Sequence, residues 1–223
     1  LSRDGYLKKM TDRVLRKATT LKYKDGDEPF IEFDSSNTHD LLVFTNQCQV
    51  YKCKVATFED TKSAQLGSYL PTDLEMDADE TVTWVIDPED YKADVLFVFE
   101  NGRVARVALS GYATKTNRKR LKNAIYGGSK LMYATVLKGE RELALVSSDY
   151  RLVNFNTSLL KTKTTNSTQG VQALTIKGSR TVTMVGTAEE FIGGKAQVEK
   201  FRAEKLPSAG APMKETDMKS LFD

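Results

Sequence analysis

The stretch LLVFTNQCQVYKCKV, at residues 41–55, contains the unit from which the chain is built. Its apolar part, residues 41–45, has the length of a strand rather than a helix and is rich in Leu, Val and Phe. The polar pair at residues 46–47 leads into residues 48–55, where apolar residues alternate with polar or basic ones. A strand, a tight polar turn and an alternating strand predict a β-hairpin.

The same unit recurs along the chain. It reads VLFVFENGRVARVAL at residues 95–109 and LALVSSDYRLVNF at residues 143–155, and LSRDGYLKKM at residues 1–10 matches its second half. The residues that follow each turn align at intervals of 43, 54 and 48 residues: Gly5, Cys48, Gly102 and Tyr150. Hairpins repeated at this spacing predict blades stacked around a centre. A generic β-sandwich is the alternative, but its strands do not usually repeat at blade spacing.

Additional strand candidates bring each unit to about four strands: residues 30–33, 82–86, 131–137, 171–176 and 181–185. The pattern changes after residue 186, where a helix is predicted over residues 196–206 and Pro207, Gly210 and Pro212 indicate an irregular segment. We therefore predict an all-β, propeller-like domain of about four to five blades over residues 1–186. Residues 187–223 are predicted to form a C-terminal helix and flexible tail.

Charge is unevenly distributed, although the formal net charge is only +3. Residues 1–24 hold eight basic and two acidic side chains, residues 25–100 hold four basic and eighteen acidic ones, and residues 101–163 hold thirteen basic and three acidic ones. Segregated charge of this kind indicates a polyanionic partner. The basic density is highest in KTNRKRLK at residues 115–122.

Composition excludes several classes of protein. At 40% apolar and 28% charged residues the chain can bury a core and is not intrinsically disordered. The apolar runs are far too short to span a bilayer, and no signal-peptide pattern opens the chain. Cys48 and Cys53 are placed on opposite faces of a strand, so we expect no mutual disulfide and a reducing, cytoplasmic location.

The repeated segments resemble the C-terminal domain of the A subunit of bacterial type IIA DNA topoisomerases, the family of DNA gyrase and topoisomerase IV. The resemblance rests on DGYLKK at residues 4–9, THDLLVFTNQCQVYKCKV at 38–55, FENGRVARV at 99–107 and STQGVQALTI at 167–176. It implies a β-pinwheel, a propeller-like disc whose blades exchange strands and whose basic rim is wrapped by DNA. The Gln/Arg/Gly-rich box of gyrases is missing from residues 10–29, which favours topoisomerase IV but leaves both assignments open.

The resemblance also implies a function. The domain would bind and bend duplex DNA without sequence preference and present it to the catalytic core, without cutting it. Its partners would be double-stranded DNA, the rest of the A subunit and the ATPase B subunit of a nucleoid-associated bacterial enzyme, with no membrane. This domain would need no cofactor, while the parent isomerase would use ATP and Mg elsewhere. The chain opens inside a hairpin, so we expect it to be part of a longer subunit.

Basic residues on the outward strand positions and in the loops after three of the four hairpins are the candidate phosphate contacts, because Lys and Arg bind phosphate without reading sequence. The loop after the second hairpin, EDTKSAQ at residues 59–65, is acidic and breaks the series. The candidate residues are Lys8, Lys9, Arg13, Arg16, Lys17, Lys52, Lys54, Arg103, Arg106, Lys115, Arg118, Lys119, Arg120, Lys122, Arg151, Lys161 and Lys163.

The sequence offers little for catalysis or metal binding. His39 is the only histidine, so a catalytic triad or a histidine-ligated metal site would depend on it alone. The acidic cluster DLEMDADE at residues 73–80 lacks the ligand spacing of a calcium loop and is interpreted as a solvated loop, or as an arc that repels DNA. The rival function is a protein-interaction β-propeller without a DNA role. Trp84 is followed by Val85, which disfavours its WD-repeat form.

Overall fold

A computed structural model describes residues 1–114, 120–188, 190–191 and 194–217. The strands in these residues are short: β1 Tyr6–Leu7, β2 Asp40–Thr45, β3 Val50–Lys54, β4 Ser68–Tyr69, β5 Val82–Ile86, β6 Asp94–Phe99, β7 Arg103–Ala108, β8 Arg120–Leu121, β9 Leu131–Leu137, β10 Glu142–Ser147, β11 Arg151–Asn156, β12 Val171–Gln172, β13 Val182–Thr187 and β14 Ala211–Pro212. The helical segments are also short: α1 Asp12–Lys17, α2 Leu70–Asp73 and α3 Gly194–Glu199, with 3-10 turns at Val55–Thr57, Leu109–Tyr112 and Thr157–Leu159.

The chain divides into two compact units. Unit 1 comprises Leu1–Asp90 and Thr114–Ala124, and unit 2 comprises Tyr91–Ala113 and Ile125–Asp223. Unit 1 contains the two-stranded sheet β1-β4 and the four-stranded sheet β5-β2-β3-β8. Unit 2 contains two four-stranded sheets, β12-β7-β6-β9 and β13-β10-β11-β14. Every strand pairing is antiparallel, so the all-β prediction and the prediction of four strands per complete repeat are confirmed.

The predicted repeat is visible in the backbone. The residue after each hairpin turn has a positive φ, a conformation that is uncommon for residues other than glycine: Gly5 (92°), Cys48 (56°), Gly102 (78°) and Tyr150 (57°). Seven residues after each of them a helical turn begins: at Asp12, Val55, Leu109 and Thr157. The four units therefore have equivalent positions that can be compared residue by residue.

The edge of each sheet is formed by an exchanged strand. The strand β8 follows the β6–β7 hairpin in the chain, yet it pairs with β3 of the preceding hairpin. The strands β4, β12 and β14 pair in the same way with β1, β7 and β11. The register is equivalent in all four cases: Leu7 with Ser68, Val50 with Leu121, Val104 with Val171, and Leu152 with Ala211.

Glycine precedes three of these exchanged strands because the chain there passes against a backbone carbonyl. Gly170 has φ +66°, and a Cβ atom at this position would lie 2.0 Å from the carbonyl oxygen of Val104. Gly67 has φ +93°, and its Cβ would lie 2.2 Å from the carbonyl oxygen of Leu7, the residue equivalent to Val104. Only glycine fits such positions without displacing backbone.

The core of each unit lies between its sheets. In unit 1 buried apolar residues from successive repeats pack together: Leu7, Leu41, Val43, Tyr51, Val55, Phe58, Leu70 and Val85. In unit 2 the corresponding cluster includes Leu96, Val104, Leu143, Val153, Phe155 and Leu160. A second cluster in unit 2 buries residues from the segment after residue 186: Phe191, Val198, Phe201 and Met213.

The structure differs from the predicted elements in three places. The strand predicted over residues 171–176 is only two residues long, Val171–Gln172. Residues 30–33 form no strand, since the backbone N–H groups of Phe30 and Ile31 both donate to Leu1 and no ladder continues from there. The predicted helix ends early, at Glu199, because Phe201 and Ala203 exchange backbone hydrogen bonds with Asn154 instead. The domain boundary at residue 186 stays a prediction, although β14 completes the sheet of β11.

Candidate nucleic-acid interface

Arg106, a predicted phosphate contact on β7, is held by two carboxylates of unit 2. Its Nε lies 2.6 Å from Oδ2 of Asp94, and its guanidinium also lies 2.8 Å from Oε1 of Glu140. Burial opposes the charge of Arg106, but these hydrogen bonds outweigh it and raise the pKa of the guanidinium. The Thr157 hydroxyl and then Arg106 lower the pKa of Glu140. Arg106 is thus a structural cation in this state.

Two lysines of unit 1 are paired as well. Lys54 Nζ lies 2.7 Å from Oδ1 of Asp40, a carboxylate that is only 11% exposed. Lys9 Nζ lies 3.2 Å from Oδ1 of Asp60, which belongs to the acidic loop that interrupts the basic series. The acidic loop, whose single cation is Lys62, therefore also neutralises a cation of the preceding repeat.

Arg120 contacts the acidic cluster of residues 73–80. Its guanidinium lies 3.2 Å from Oδ2 of Asp77 and donates to the hydroxyl of Tyr51 at 3.2 Å. The Tyr51 hydroxyl donates to Glu80 at 2.6 Å, and the Thr45 hydroxyl donates to the other oxygen of the same carboxylate. Glu80 is 3% exposed and departs from the interpretation of the cluster as a solvated loop, whereas the other four acids of the cluster are exposed, as that interpretation predicts. Hydroxyl donors compensate this buried carboxylate, as a buried charge requires.

Arginines at equivalent repeat positions donate hydrogen bonds to the segments just before the exchanged strands β12 and β14. Arg151 donates from Nε to the carbonyl of Ala209 at 2.8 Å and from Nη2 to that of Gly210 at 2.6 Å. Arg103 donates to the carbonyl of Gly170 at 3.4 Å. Each accepting carbonyl lies just before an exchanged strand, so these side chains hold the strand connection rather than project freely into solvent.

Lys52 and Lys8 of unit 1 also donate to backbone carbonyls. Lys52 Nζ lies 3.2 Å from the carbonyl oxygen of Thr114, and Lys8 Nζ donates to that of Gln65. Burial, followed by the nearby positive charge of Lys22, lowers the pKa of Lys8. Lys22 is exposed and was missed among the candidate residues, although it lies in the basic segment of residues 1–24 that the charge count identifies.

Three exposed cations lie together on α1. Arg13, Arg16 and Lys17 project from a helix without a buried residue, and no ion pair involves them within the described part of the chain. Residues three and four apart share one face of a helix. The spacing of Arg13 to Arg16 and Lys17 therefore gathers three positive charges on that face.

Lys161 and Lys163 follow the equivalent helical turn of unit 2. Both are exposed, and no ion pair is found for either among the described residues. Thr162 between them donates its hydroxyl to Asp94 at 2.6 Å. In an extended segment alternate residues point to opposite sides, so both lysines face away from this buried acid. Lys161 stands at the repeat position of Arg16, eleven residues after the positive-φ residue.

Lys122 is exposed just after β8, again without an ion pair in the described ranges. Lys115, Arg118 and Lys119 lie outside the described residues. The candidate cations that the structure describes thus form two sets. One is exposed: Arg13, Arg16, Lys17, Lys122, Lys161 and Lys163. The other is engaged in the fold: Lys8, Lys9, Lys52, Lys54, Arg103, Arg106, Arg120 and Arg151. We call them the exposed set and the engaged set.

Among the residues that the structure describes, no cluster of three or more His, Cys, Asp or Glu side chains could hold a metal ion. No helix within the described ranges is both long enough and apolar enough to cross a bilayer. The arrangement can present positive charge to a polyanion.

Comparison with known proteins supports the same reading of the fold. No family model matches the chain. The A subunit of DNA topoisomerase 4 from Bacillus subtilis (strain 168) is 30% identical over 147 residues, covering 64% of this chain and 17% of the relative. The C-terminal domain of E. coli ParC superposes with a TM-score of 0.71 at 16% identity, covering 96% of this chain and 92% of that one. The C-terminal domain of DNA gyrase A gives a TM-score of 0.58 at 17% identity, covering 86% and 64%.

These matches confirm the predicted β-pinwheel, since the three complete sheets, the exchanged strands and the two superpositions describe the same architecture. The chain spans about a sixth of the length of the Bacillus relative. The sequence relatives and the fold agree: in both respects this chain is similar to the C-terminal domains of the A subunits of DNA topoisomerase IV and DNA gyrase.

Proposed function

We propose that this domain binds duplex DNA without sequence preference and bends it, through the exposed set of cations. The observation that carries the proposal is the recurrence of exposed cations, without an ion pair among the described residues, on or just after helical turns that begin at equivalent repeat positions. They are Arg13, Arg16 and Lys17 on α1 in unit 1, and Lys161 and Lys163 after Thr157–Leu159 in unit 2. A cation without a carboxylate partner can neutralise a phosphate and release its condensed counterions.

The exposed set contains only Lys and Arg. Such side chains position a phosphate backbone and do not distinguish bases, so the selectivity we expect comes from the ease of bending the duplex. Wrapping proteins combine phosphate contacts with DNA deformation in this way. In the parent enzyme, an ATP-dependent bacterial topoisomerase of the topoisomerase IV or gyrase type, the domain would present DNA to the catalytic core. Cleavage, ATP and Mg chemistry would belong to the rest of the A subunit and to the B subunit.

The test is charge reversal of the exposed set. We expect Arg13→Glu/Arg16→Glu/Lys17→Glu and Lys161→Glu/Lys163→Glu each to weaken duplex binding at least about tenfold at low salt, measured by fluorescence anisotropy. The slope of log affinity against log salt should also become shallower, by roughly one for each lost phosphate contact. Sequence scrambling of the duplex should leave affinity unchanged.

A matched control is Lys177→Glu/Lys205→Glu, which reverses two exposed lysines away from the helical turns. We expect it to alter affinity less than threefold. Equal losses from the control and from Lys161→Glu/Lys163→Glu would mean that only net charge matters. Wild-type protein that shifts no duplex at low salt would reject the DNA role and leave a protein-interaction domain.

A further inference from the structure

A small pocket of about 200 Å³ lies in unit 2, between β7 and the segment that leads from the Thr157–Leu159 turn to β12. Two of its lining side chains, Val104 and Leu160, are buried, whereas Leu159 and Val171 remain 37% and 36% exposed. Pockets that enclose a whole drug-sized ligand usually measure about 300–1,000 Å³, so this one suits a part of a larger molecule.

Two lysines line the same pocket and supply positive charge. Lys161 and Lys163 are exposed, and neither has an ion pair within the described part of the chain. Two residues of extended chain span about 6.6 Å, so these side chains can reach two neighbouring anionic groups. Arg106 also lines the pocket, but Asp94 and Glu140 neutralise its charge. The pocket thus combines partly exposed apolar surface with two available cations.

The equivalent place in unit 1 has the same backbone framework. The Thr61 N–H donates to the Lys9 carbonyl at 2.6 Å, as the Lys163 N–H donates to the Arg106 carbonyl at 2.8 Å. The 3-10 turn that precedes Thr61 and the one that precedes Lys163 both begin six residues earlier. The register of the exchanged strands β4 and β12 is equivalent too. The two places can therefore be compared position by position.

The side chains at these two places differ in chemistry. Where unit 2 has Leu159, Lys161, Lys163 and Val171, unit 1 has Thr57, Glu59, Thr61 and Ser68, respectively. The residues of unit 1 are polar or acidic, as residues near the surface usually are. Since these polar residues fit the same backbone, the fold does not require an apolar pair beside two lysines. The chemistry of unit 2 therefore indicates a bound group that is apolar in one part and anionic in another.

A strand of DNA has such a chemistry in every repeated unit. One sugar lies between each two successive phosphates, and the 2′ carbon of a deoxyribose carries no hydroxyl. A ribose in the same place would turn its 2′-hydroxyl towards the apolar side chains of Leu159 and Val171, where it would lose water without gaining a hydrogen bond. The apolar pair thus favours deoxyribose.

We propose that this pocket binds one sugar-phosphate unit of the DNA backbone and selects deoxyribose over ribose. Leu159 and Val171 pack against the sugar, while Lys161 and Lys163 bind the phosphates on either side of it. The inference rests on the proposed function, to which it adds the class of nucleic acid that the domain accepts. The lysines alone would not discriminate, because the phosphates of DNA and RNA carry the same charge, whereas the 2′-hydroxyl distinguishes the two.

The test gives the pocket the apolar-to-polar changes that unit 1 already carries, in Leu159→Thr/Val171→Ser. Fluorescence anisotropy measures affinity for a DNA duplex and for an RNA duplex of the same sequence. We expect wild type to bind DNA at least about fivefold more tightly than RNA, and the variant to lose at least about threefold of this preference through weaker DNA binding. The slope of log affinity against log salt should stay unchanged, because both lysines remain.

Met184→Thr is the matched control, since it removes a side chain of unit 2 that is 42% exposed and lies outside the pocket. It should leave the preference for DNA unchanged. A duplex with 2′-fluoro groups in place of the 2′-hydroxyls keeps the A-form of RNA without the hydroxyl, and it should bind wild type more nearly as DNA does. If it binds as weakly as RNA, helix geometry makes the distinction and the proposal is overturned.

The comparison of duplexes on wild type needs no variant, so its result does not depend on how the substituted protein folds. Equal affinity of wild type for DNA and RNA would overturn this inference and leave the proposed DNA-binding function intact. A wild type that binds neither duplex would overturn both. An unchanged preference in a Leu159→Thr/Val171→Ser variant that melts like wild type would also overturn the inference, because the discrimination would then lie elsewhere.

Discussion

The Nε atom of Arg106 lies 2.6 Å from Oδ2 of Asp94, and the two side chains are only 18% and 17% exposed. This pair shows that a basic residue on a strand can have a carboxylate partner that the sequence pattern does not reveal. Arg106 alternates with apolar residues along β7, as an outward-facing DNA contact would, yet its Nε and Nη1 atoms are bound to Asp94 and Glu140. These two carboxylates neutralise the positive charge that a phosphate would need.

Replacing Arg106 should therefore affect stability more than DNA binding. We expect Arg106→Ala to lower the free energy of unfolding by about 2–3 kcal/mol, because it leaves a largely buried Asp94 without its partner. Urea unfolding measures this loss. The folded Arg106→Ala variant should retain its duplex affinity within about twofold. Lys161→Ala/Lys163→Ala removes two lysines that lack such contacts, so it should be destabilised by less than about 0.5 kcal/mol but should bind DNA more weakly under the same conditions.

Arg106→Lys serves as the control for charge. It keeps the positive charge but cannot bind two carboxylates with a planar fork, so it should recover only part of the stability. An Arg106→Ala variant as stable as wild type, with DNA affinity reduced as far as in the lysine double variant, would contradict the structural role.

The glycines before the exchanged strands provide a second prediction. We expect Gly170→Ala to destabilise unit 2 by at least about 3 kcal/mol, since its Cβ would lie 2.0 Å from the Val104 carbonyl oxygen at φ +66°. Gly178→Ala is a matched control: its φ is +63°, but a Cβ there meets nothing within 4 Å. It should cost only the strain of a positive φ, about 1 kcal/mol.

Thermal or urea unfolding of the two variants separates the cost of the clash between the new Cβ and the Val104 carbonyl from the cost of a positive φ. Equal losses at Gly170 and Gly178 would show that the exchanged strand can move away from Val104 without cost, and that β12 contributes little to the sheet.

The sequence predicts the repeat well and the charge partners poorly, for different physical reasons. The hairpins are local: an apolar run, a turn and a positive-φ position such as Cys48 lie within fifteen residues of one another, so their pattern is visible in the chain. The exchanged strands β8 and β12 are two residues long and pair with partners more than sixty residues away. No periodicity can reveal so short a strand.

Ion pairs depend on the same distant contacts. Arg120 and Asp77 are separated by 43 residues, and Arg106 and Glu140 by 34. The sequence pattern around a basic residue on a strand is the same whether a carboxylate or solvent faces its side chain. The phosphate-binding role of all the candidate residues stays a prediction, and the exposed set is the part of it on which the proposed function rests.

The pairing of Arg120 with Asp77 leads to a third prediction, which rests on the proposed DNA role. We expect Asp77→Asn to strengthen duplex binding about two- to threefold at low salt, because it frees a guanidinium that is 33% exposed. Asp73→Asn removes the same charge from an exposed residue of the same cluster that has no ion pair in the described part of the chain. Anisotropy titrations of the two variants should differ, with Asp73→Asn close to wild type. Equal gains would indicate that only the net charge of the cluster matters.

The thiol of Cys53 gives a fourth prediction, independent of DNA. Burial, and then the nearby charge of Asp40, raise the pKa of Cys53 to about 12. A thiolate is the reactive species, so native protein at pH 8.5 should react with iodoacetamide at Cys48 well before Cys53, and urea should abolish the difference. Mass spectrometry of the labelled peptides measures the order of reaction.

The raised pKa of Cys53 also makes the free energy of unfolding depend on pH in the alkaline range. An unfolded thiol titrates near pH 8.5, whereas the folded Cys53 holds its proton until about pH 12, so the unfolded state binds fewer protons in between. The contribution of Cys53 is therefore complete below about pH 8.5 and is lost as pH rises towards 12. Urea unfolding at pH 8 and pH 10 should show a larger loss for wild type than for Cys53→Ala, because the alanine variant has no proton to release on unfolding. Identical pH dependence in the two proteins would show that the Cys53 environment is open enough to hold a thiolate.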